Sequence, residues 1–169
     1  MATKKKSVSQ ASADQAEANA SITREQLIKN LNEDLSREYQ AIIAYIVYSQ
    51  AIKGAQYMSI AKELKVHAKE ELAHALTIAK QIDYLGGEIN VTPKPVKTSE
   101  KATDMLRFDL ANETDTIREY RKRVKECEAL EEYGIAEDIR EILRQEQEHQ
   151  IDLATALGED PPNMSKGGK

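Results

Sequence analysis

The stretch EQEH at residues 146–149 repeats the Glu-x-x-His pattern of ELAH at residues 71–74. A lone glutamate precedes each pattern, Glu38 the first and Glu113 the second. The offset between positions 38 and 113, 71 and 146, and 74 and 149 is 75 residues in each case. One constant offset indicates two copies of a single half-site.

These residues suit a pair of metal ions. Side chains three positions apart share one face of a helix, so the Glu and His of each motif can reach the same ion. Carboxylate and imidazole groups suit divalent iron or manganese, and zinc is possible. One Glu from each of two helices and one Glu-x-x-His from each of two others is the ligand set of dinuclear carboxylate bundles. The predicted ligands are Glu38, Glu71, His74, Glu113, Glu146 and His149, with Glu71 and Glu146 as bridges.

Hydrophobic periodicity predicts four amphipathic helices. Apolar residues recur every three or four positions, and the predicted helices run from a capping box at Thr23 and Gln26 to Gly54, and over 57–85, 100–131 and 135–157. All six predicted ligands fall on the inward stripes. Burying four unpaired carboxylates would cost several kcal/mol each. Since no Lys or Arg shares these stripes, we expect bound cations to compensate the charge.

The 75-residue offset also relates apolar positions, for example Leu31 to Leu106 and Tyr45 to Tyr120. We therefore expect two similar helical hairpins related by a pseudo-twofold axis. The Pro-containing segment 86–99 cannot be helical throughout, but it is long enough to run the full length of a helix. The sequence predicts an all-α, antiparallel four-helix bundle with a long crossover between helices two and three, which leaves those two helices parallel.

Further inward-facing residues surround the predicted ligands. Tyr45 and Tyr120 follow Glu38 and Glu113 by two turns, and each is expected to donate a hydrogen bond to a ligand carboxylate of the opposite hairpin. They are therefore counted with the catalytic residues. His67 lies outside the repeat, and either an auxiliary iron-binding role or a hydrogen-bonded core histidine fits it. Cys127 is predicted to be a core residue.

Composition limits the remaining possibilities. The chain has 169 residues, a net charge of −5 and one cysteine. These values argue against nucleic-acid binding by the whole surface, an internal disulfide or a cysteine-based metal cluster. No apolar run approaches a membrane span and no secretory signal is visible, so a reducing cytoplasm is expected. Residues 1–21 and 159–169 are predicted to be flexible tails around a bundle over 22–158.

Beyond these patterns, the chain resembles the ferritin-like superfamily, and within it bacterioferritin. The resemblance covers about residues 27–157 and is most specific in LNEDLSREYQAI at 31–42, MLRFDLANE at 105–113 and ILRQEQEH at 142–149. It implies a ferroxidase that binds two iron ions per subunit and oxidises Fe(II) with O2 or H2O2. It also implies storage of ferric iron in a hollow oligomeric shell and protection against oxidative stress.

Two departures from bacterioferritin affect these expectations. Leu72 stands where bacterioferritin has the methionine that binds haem, so haem is not expected. No fifth helix is predicted after Gly158, so the chain looks more like the twelve-subunit Dps-like miniature ferritins. Those proteins often carry a cysteine pair that is absent here. Rubrerythrin is a further relative, but Leu110 replaces its additional glutamate.

Three functions remain open from the sequence. The first is a di-iron ferroxidase that stores iron. The second is a di-iron or di-manganese peroxidase of rubrerythrin type without storage, and the third is a Dps-like DNA-coating protein that uses Lys4, Lys5 and Lys6. A homo-oligomer is expected in each case. The missing fifth helix favours a hollow dodecamer over a 24-mer, with a dimer as the remaining possibility.

Overall fold

A computed structural model describes residues 22–164, and the described part of the chain contains four long helices and no strand. The helices are α1 (Arg24–Ala51), α2 (Met58–Tyr84), α3 (Ala102–Ala129) and α4 (Tyr133–Leu157). The predicted all-α bundle is confirmed. The N-terminal tail predicted over 1–21 and the last five residues, 165–169, lie outside the described residues.

The ends of α1 differ in part from the prediction. The Thr23 hydroxyl accepts a hydrogen bond from the Gln26 backbone amide at 3.1 Å, as an N-cap residue does. The Gln26 side chain instead donates to Asn30, so only half of the capping box forms. The helix ends at Ala51 rather than at Gly54, because the next residue, Ile52, already has an extended backbone with ψ = 127°. A short 3-10 turn, Ala55–Tyr57, then leads into α2.

The crossover between α2 and α3 follows α1 in the direction of that helix. Asn32 donates to the carbonyl of Glu88 near the start of α1, and the backbone amide of Lys94 donates to the Ser36 carbonyl at 3.0 Å. Tyr48 donates to the carbonyl of Lys97 near the helix end. The crossover therefore runs antiparallel to α2 and delivers the chain to the end of the bundle where α2 begins. As predicted, α2 and α3 are parallel.

The core has two apolar layers with a polar layer between them. Within the bundle, α1 packs mainly against α2, and α3 against α4. One apolar cluster includes Leu31, Leu35 and Ile78, together with Cys127, which is fully buried as predicted. The other includes Tyr45 and Leu64. Glu38 lies between Leu35 and Tyr45 along α1, so the predicted ligands occupy the layer between the two clusters.

The segment after α4 contains no helix within its described part, residues 158–164. Gly158 ends α4 in the left-handed conformation, with φ = +72°. Glu159 pairs with Arg107 at 2.6 Å, and Arg121 donates to the Met164 carbonyl at 2.8 Å. This stretch therefore lies against α3, while the flexibility expected of 159–169 stays a prediction. None of the described helices is long and apolar enough to span a membrane.

A buried ion pair joins α1 and α3, which the sequence analysis missed. Asp34 is fully buried and accepts from the Arg123 Nε atom at 2.6 Å, while Arg37 contacts the same carboxylate. Burial raises the pKa of Asp34, and the two arginines oppose that shift. Asp109, the repeat counterpart of Asp34, is also buried, but its Oδ2 atom has no hydrogen-bond partner among the described residues. The two copies therefore differ in how they compensate one carboxylate.

This difference gives a matched pair of substitutions. Asp34→Asn should lower the free energy of unfolding by about 3 kcal/mol, because it leaves the buried Arg123 guanidinium without its main partner. Asp109→Asn should change it by less than about 1 kcal/mol, because it removes a carboxylate that has no cationic partner. Urea unfolding of the metal-free protein at one protein concentration measures both effects. Equal losses in the two variants would contradict this account.

Candidate metal centre

The six predicted ligands meet in the centre of the bundle. Glu38 comes from α1, Glu113 from α3, and the two Glu-x-x-His motifs from α2 and α4. Each of the six residues is at most 3% exposed. The helical period explains the convergence, since the Glu and His of each motif project from the same face of their helix. No Lys or Arg of residues 22–164 pairs with any of the six.

The ligand atoms form two groups that share two glutamates. In the first, His74 Nδ1 lies 3.4 Å from Glu38 Oε2, 3.1 Å from Glu71 Oε2 and 3.1 Å from Glu146 Oε1. In the second, His149 Nδ1 lies 3.0 Å from Glu71 Oε1 and 3.5 Å from Glu146 Oε2, and Glu113 completes the group. Each shared glutamate thus turns one oxygen to each histidine. This is the geometry that a bridging carboxylate requires.

Several of these atoms lie close together without forming hydrogen bonds. Glu38 Oε2, Glu71 Oε1, both oxygens of Glu146 and His149 Nδ1 are buried and lack a hydrogen-bond partner among the described residues. Buried polar atoms are normally hydrogen-bonded, and leaving them unpaired is costly. Buried ligand atoms that converge on one point in this way fit a cation. The donor set of four carboxylates and two imidazoles therefore suits two divalent ions.

The outer nitrogen of each histidine has its own polar partner. His74 Nε2 lies 2.6 Å from Gln145 Oε1, and His149 Nε2 lies 3.0 Å from Glu70 Oε2. With a proton on Nε2, each ring directs the lone pair of Nδ1 into the centre. The sequence analysis missed both partners. They are one residue before Glu71 and Glu146 and are related by the same 75-residue offset, so the repeat could have revealed them.

The two tyrosines connect the hairpins. Tyr45 donates a hydrogen bond to Glu113, and Tyr120 donates to Glu38. These are the cross-hairpin contacts predicted from the sequence. Burial, and then the neighbouring carboxylates, raise the pKa of both hydroxyls well above the usual range. Both tyrosines therefore stay protonated and act as fixed donors to the two outer carboxylates.

Protons compensate much of the charge in the absence of metal. Burial and repulsion from Glu71 and Glu146 raise the pKa of Glu38 and of Glu113 well above the ordinary value. Burial disfavours the charged form of His149, but the adjacent carboxylates of Glu146 and Glu71 outweigh that effect and raise its pKa to about 11. The pKa of His74 is raised for the same reason. The metal-free site therefore holds protons that cations must displace.

His67 lies beside this centre rather than within it. Its ring stacks on His149, with centroids 4.0 Å apart, and meets Tyr45 edge-on at 5.3 Å. Burial, and then the charge of His149, lower the pKa of His67 to about 4 although Asp152 opposes the shift. Its imidazole is therefore neutral at neutral pH. The structure places His67 next to the ligands, on the side of His149.

Comparisons with known proteins agree with this geometry. The ferritin-like domain family matches residues 28–161. Bacterioferritin from Brucella melitensis is 26% identical, over 79% of this chain and 88% of that protein, and the one from Rhodobacter capsulatus is 28% identical, over 75% and 79%.

Solved structures show the same fold. A ferritin-like, diiron-carboxylate protein from Bacillus anthracis is 30% identical, with a TM-score of 0.76, and the match covers 79% of this chain and 96% of that one. A Bacteroides fragilis protein, described as a dodecameric thioferritin and bacterioferritin-related, is 27% identical, with a TM-score of 0.75 and coverage of 82% and 88%. Because the family model matches most of the chain, this protein belongs to the ferritin-like domain family.

Proposed function

We propose that the protein is a ferroxidase that binds two Fe(II) ions at the centre of its bundle and stores the ferric product. The observation that carries the proposal is the pair of shared carboxylates, Glu71 and Glu146, each with one oxygen directed to each histidine. At such a centre Fe(II) is both the bound ion and the substrate. An external oxidant, O2 or H2O2, would accept the electrons.

The roles of the surrounding residues follow from their positions. Glu38 with His74, and Glu113 with His149, would bind one ion each, while the two shared glutamates would bridge the ions. Four carboxylates balance the charge of two divalent ions. Tyr120 and Tyr45 would hold the outer carboxylates in place, which limits rearrangement when the ion charge changes.

The relatives support this assignment at the level of the family. The Bacillus anthracis neighbour is described as a diiron-carboxylate protein, and the curated relatives are bacterioferritins. Leu72, at the position of the haem-binding methionine, is 52% exposed and offers no ligand atom. We therefore expect iron without haem. The DNA-coating alternative depends on Lys4, Lys5 and Lys6, which lie outside the described residues, and no described contact favours it.

The shared glutamates give the first test of this function. Glu71→Ala and Glu146→Ala should each lower the initial rate of Fe(II) oxidation by about 100-fold or more, because losing even an outer partner of a metal ligand costs 10–100-fold. Stopped-flow absorbance after mixing with Fe(II) in aerated buffer measures the rate. Glu148→Ala is the matched control, because Glu148 is an exposed neighbour of Glu146 that pairs with Arg144. Wild-type rates in both variants would refute the assignment.

Metal binding should also release protons. The raised pKa values of His74, His149, Glu38 and Glu113 mean that at pH 7 about two to four protons leave when two Zn(II) ions bind. Lowering the pH should therefore weaken binding. Titration calorimetry in buffers of different ionisation enthalpy counts the protons. A heat that does not depend on the buffer would show that the centre is already deprotonated.

For the assembly, we propose a hollow dodecamer. Leu72 and Leu76 on α2 are 52% and 65% exposed, and Ile46 on α1 is 54% exposed, so each helix presents apolar surface that a second copy could cover. The segment after α4 contains Pro161 and Pro162 and lies against α3. It supplies no additional helix within its described part. The Bacteroides fragilis neighbour is itself described as dodecameric.

The mass of the metal-free protein tests this assembly. Light scattering should give a mass near twelve chains. Leu72→Arg and Leu76→Arg should each shift the protein to smaller species, because a charge would be buried in the contact. Arg118→Glu is the control, since Arg118 is exposed on α3 and, among residues 22–164, forms an ion pair only with Asp115 of its own helix. A mass near twenty-four chains would contradict the proposal.

A further inference from the structure

Outside the six ligands, the described residues contain a second cluster of metal-ligating side chains, at the side of the centre nearest His149. Glu63, His67 and Asp152 each offer a ligand atom, and these atoms lie within 4.8 Å of one another. Glu63 and His67 are four residues apart on α2, so they share one face of that helix. Asp152 comes from α4. The cluster therefore bridges two helices.

The imidazole of His67 is buried but makes few hydrogen bonds. The residue is only 2% exposed, and its Nδ1 atom has no hydrogen-bond partner within the described part of the chain. Its Nε2 atom lies 3.3 Å from Asp152 Oδ2, which is long for a hydrogen bond to a carboxylate. Two ligand atoms at about 2.1 Å from one ion stand about 3.0–3.4 Å apart at the usual coordination angles. The observed separation fits shared coordination.

The carboxylates of this cluster have no cationic partner. Neither Glu63 nor Asp152 forms an ion pair with a Lys or Arg among residues 22–164. Other acidic residues on the bundle surface, such as Glu128 and Glu141, do pair with arginine. The Asp152 side chain is 44% exposed, so an ion can reach it from solvent. Two carboxylates and a neutral imidazole balance the charge of one divalent cation.

The repeat shows that this cluster is specific to one half of the bundle. The positions related to His67 and Asp152 by the 75-residue offset are Ile142 and Thr77, which cannot replace them as ligands. Glu63 corresponds to Asp138, which accepts a hydrogen bond from Gln81 at 2.7 Å. The six central residues were retained in both halves, whereas this set exists in one. If these residues were only part of a charged surface, similar residues would be expected at the equivalent positions of the other half.

We propose that Glu63, His67 and Asp152 form a third, mononuclear site for a divalent cation beside the dinuclear centre. The ligand set takes ions of intermediate hardness, such as Zn(II), Mn(II) or Fe(II). Three protein ligands leave coordination positions open to water, so the ion is exchangeable. The proposed site adjoins the dinuclear centre, because the ring of His67 stacks on the predicted ligand His149. Glu70, three residues after His67, also contacts His149.

Zn(II) is the probe, because it binds the same donor atoms without redox chemistry. Equilibrium dialysis of the metal-free full-length protein should give three Zn(II) per chain. The double variant Glu63→Gln, Asp152→Asn should give two, and the control Asp138→Asn, at the equivalent position of the other half, should give three. Only two ions in the wild type, or three in the double variant, would overturn the proposal.

Anomalous diffraction from Zn(II)-soaked crystals separates this inference from the proposed function. A peak between Glu63, His67 and Asp152 is expected in the wild type, in addition to two peaks at Glu71 and Glu146. In the Glu71→Ala variant the outer peak should remain while the central peaks weaken or disappear. Central peaks without the outer one would overturn this inference alone. An outer peak without central peaks in the wild type would instead refute the dinuclear centre.

Discussion

Four carboxylates buried in the centre of a helical bundle are the constraint on which this structure depends. Each would cost several kcal/mol if it were buried as an unpaired anion. Two tyrosine hydroxyls, two imidazoles and bound protons compensate these carboxylates. No lysine or arginine of residues 22–164 forms an ion pair with any of the four. The layer is therefore stable without metal only as a proton-sharing network. It is also poised to exchange those protons for cations.

The apolar layers on either side of this network make it rigid. Leu35 and Ile78 belong to the cluster below it, and Leu64 and Leu106 to the cluster above it. Close-packed side chains fix the angles at which the four helices cross the polar layer. The four helices are 25 to 28 residues long, and each contributes side chains to both clusters. Every helix is therefore anchored on both sides of the polar layer.

Much of this organisation could be predicted from the sequence, because it follows from helical periodicity. A stripe of leucines and isoleucines interrupted by Glu38 specifies both a helix and a buried carboxylate. The crossover direction followed from the length of 86–99 and its prolines. The Asp34–Arg123 pair was missed because a charged residue beside a stripe looks the same in sequence whether it is buried or solvated. Deciding between the two requires the position of the partner, 89 residues away.

The ends of the helices were harder to predict, because they depend on the backbone conformation of single residues. Periodicity continues past the last helical residue, whereas the true end depends on backbone angles such as those of Ile52. The contacts of Glu70 and Gln145 depend on side-chain conformations across helices, which a pattern does not encode. His67 shows the same limit, since its position beside the centre could be predicted but its contact with Asp152 could not.

The pseudo-twofold symmetry of the ligands does not extend to their surroundings. His149 is backed by the carboxylate of Glu70, whereas His74 is backed by the carboxamide of Gln145. A carboxylate partner makes an imidazole a stronger donor than an amide does. The position next to His149 would therefore favour the higher charge state of a bound ion, and it is also the position on the side of His67. The repeat supplies two equal half-sites, and the residues around them make the two positions chemically distinct.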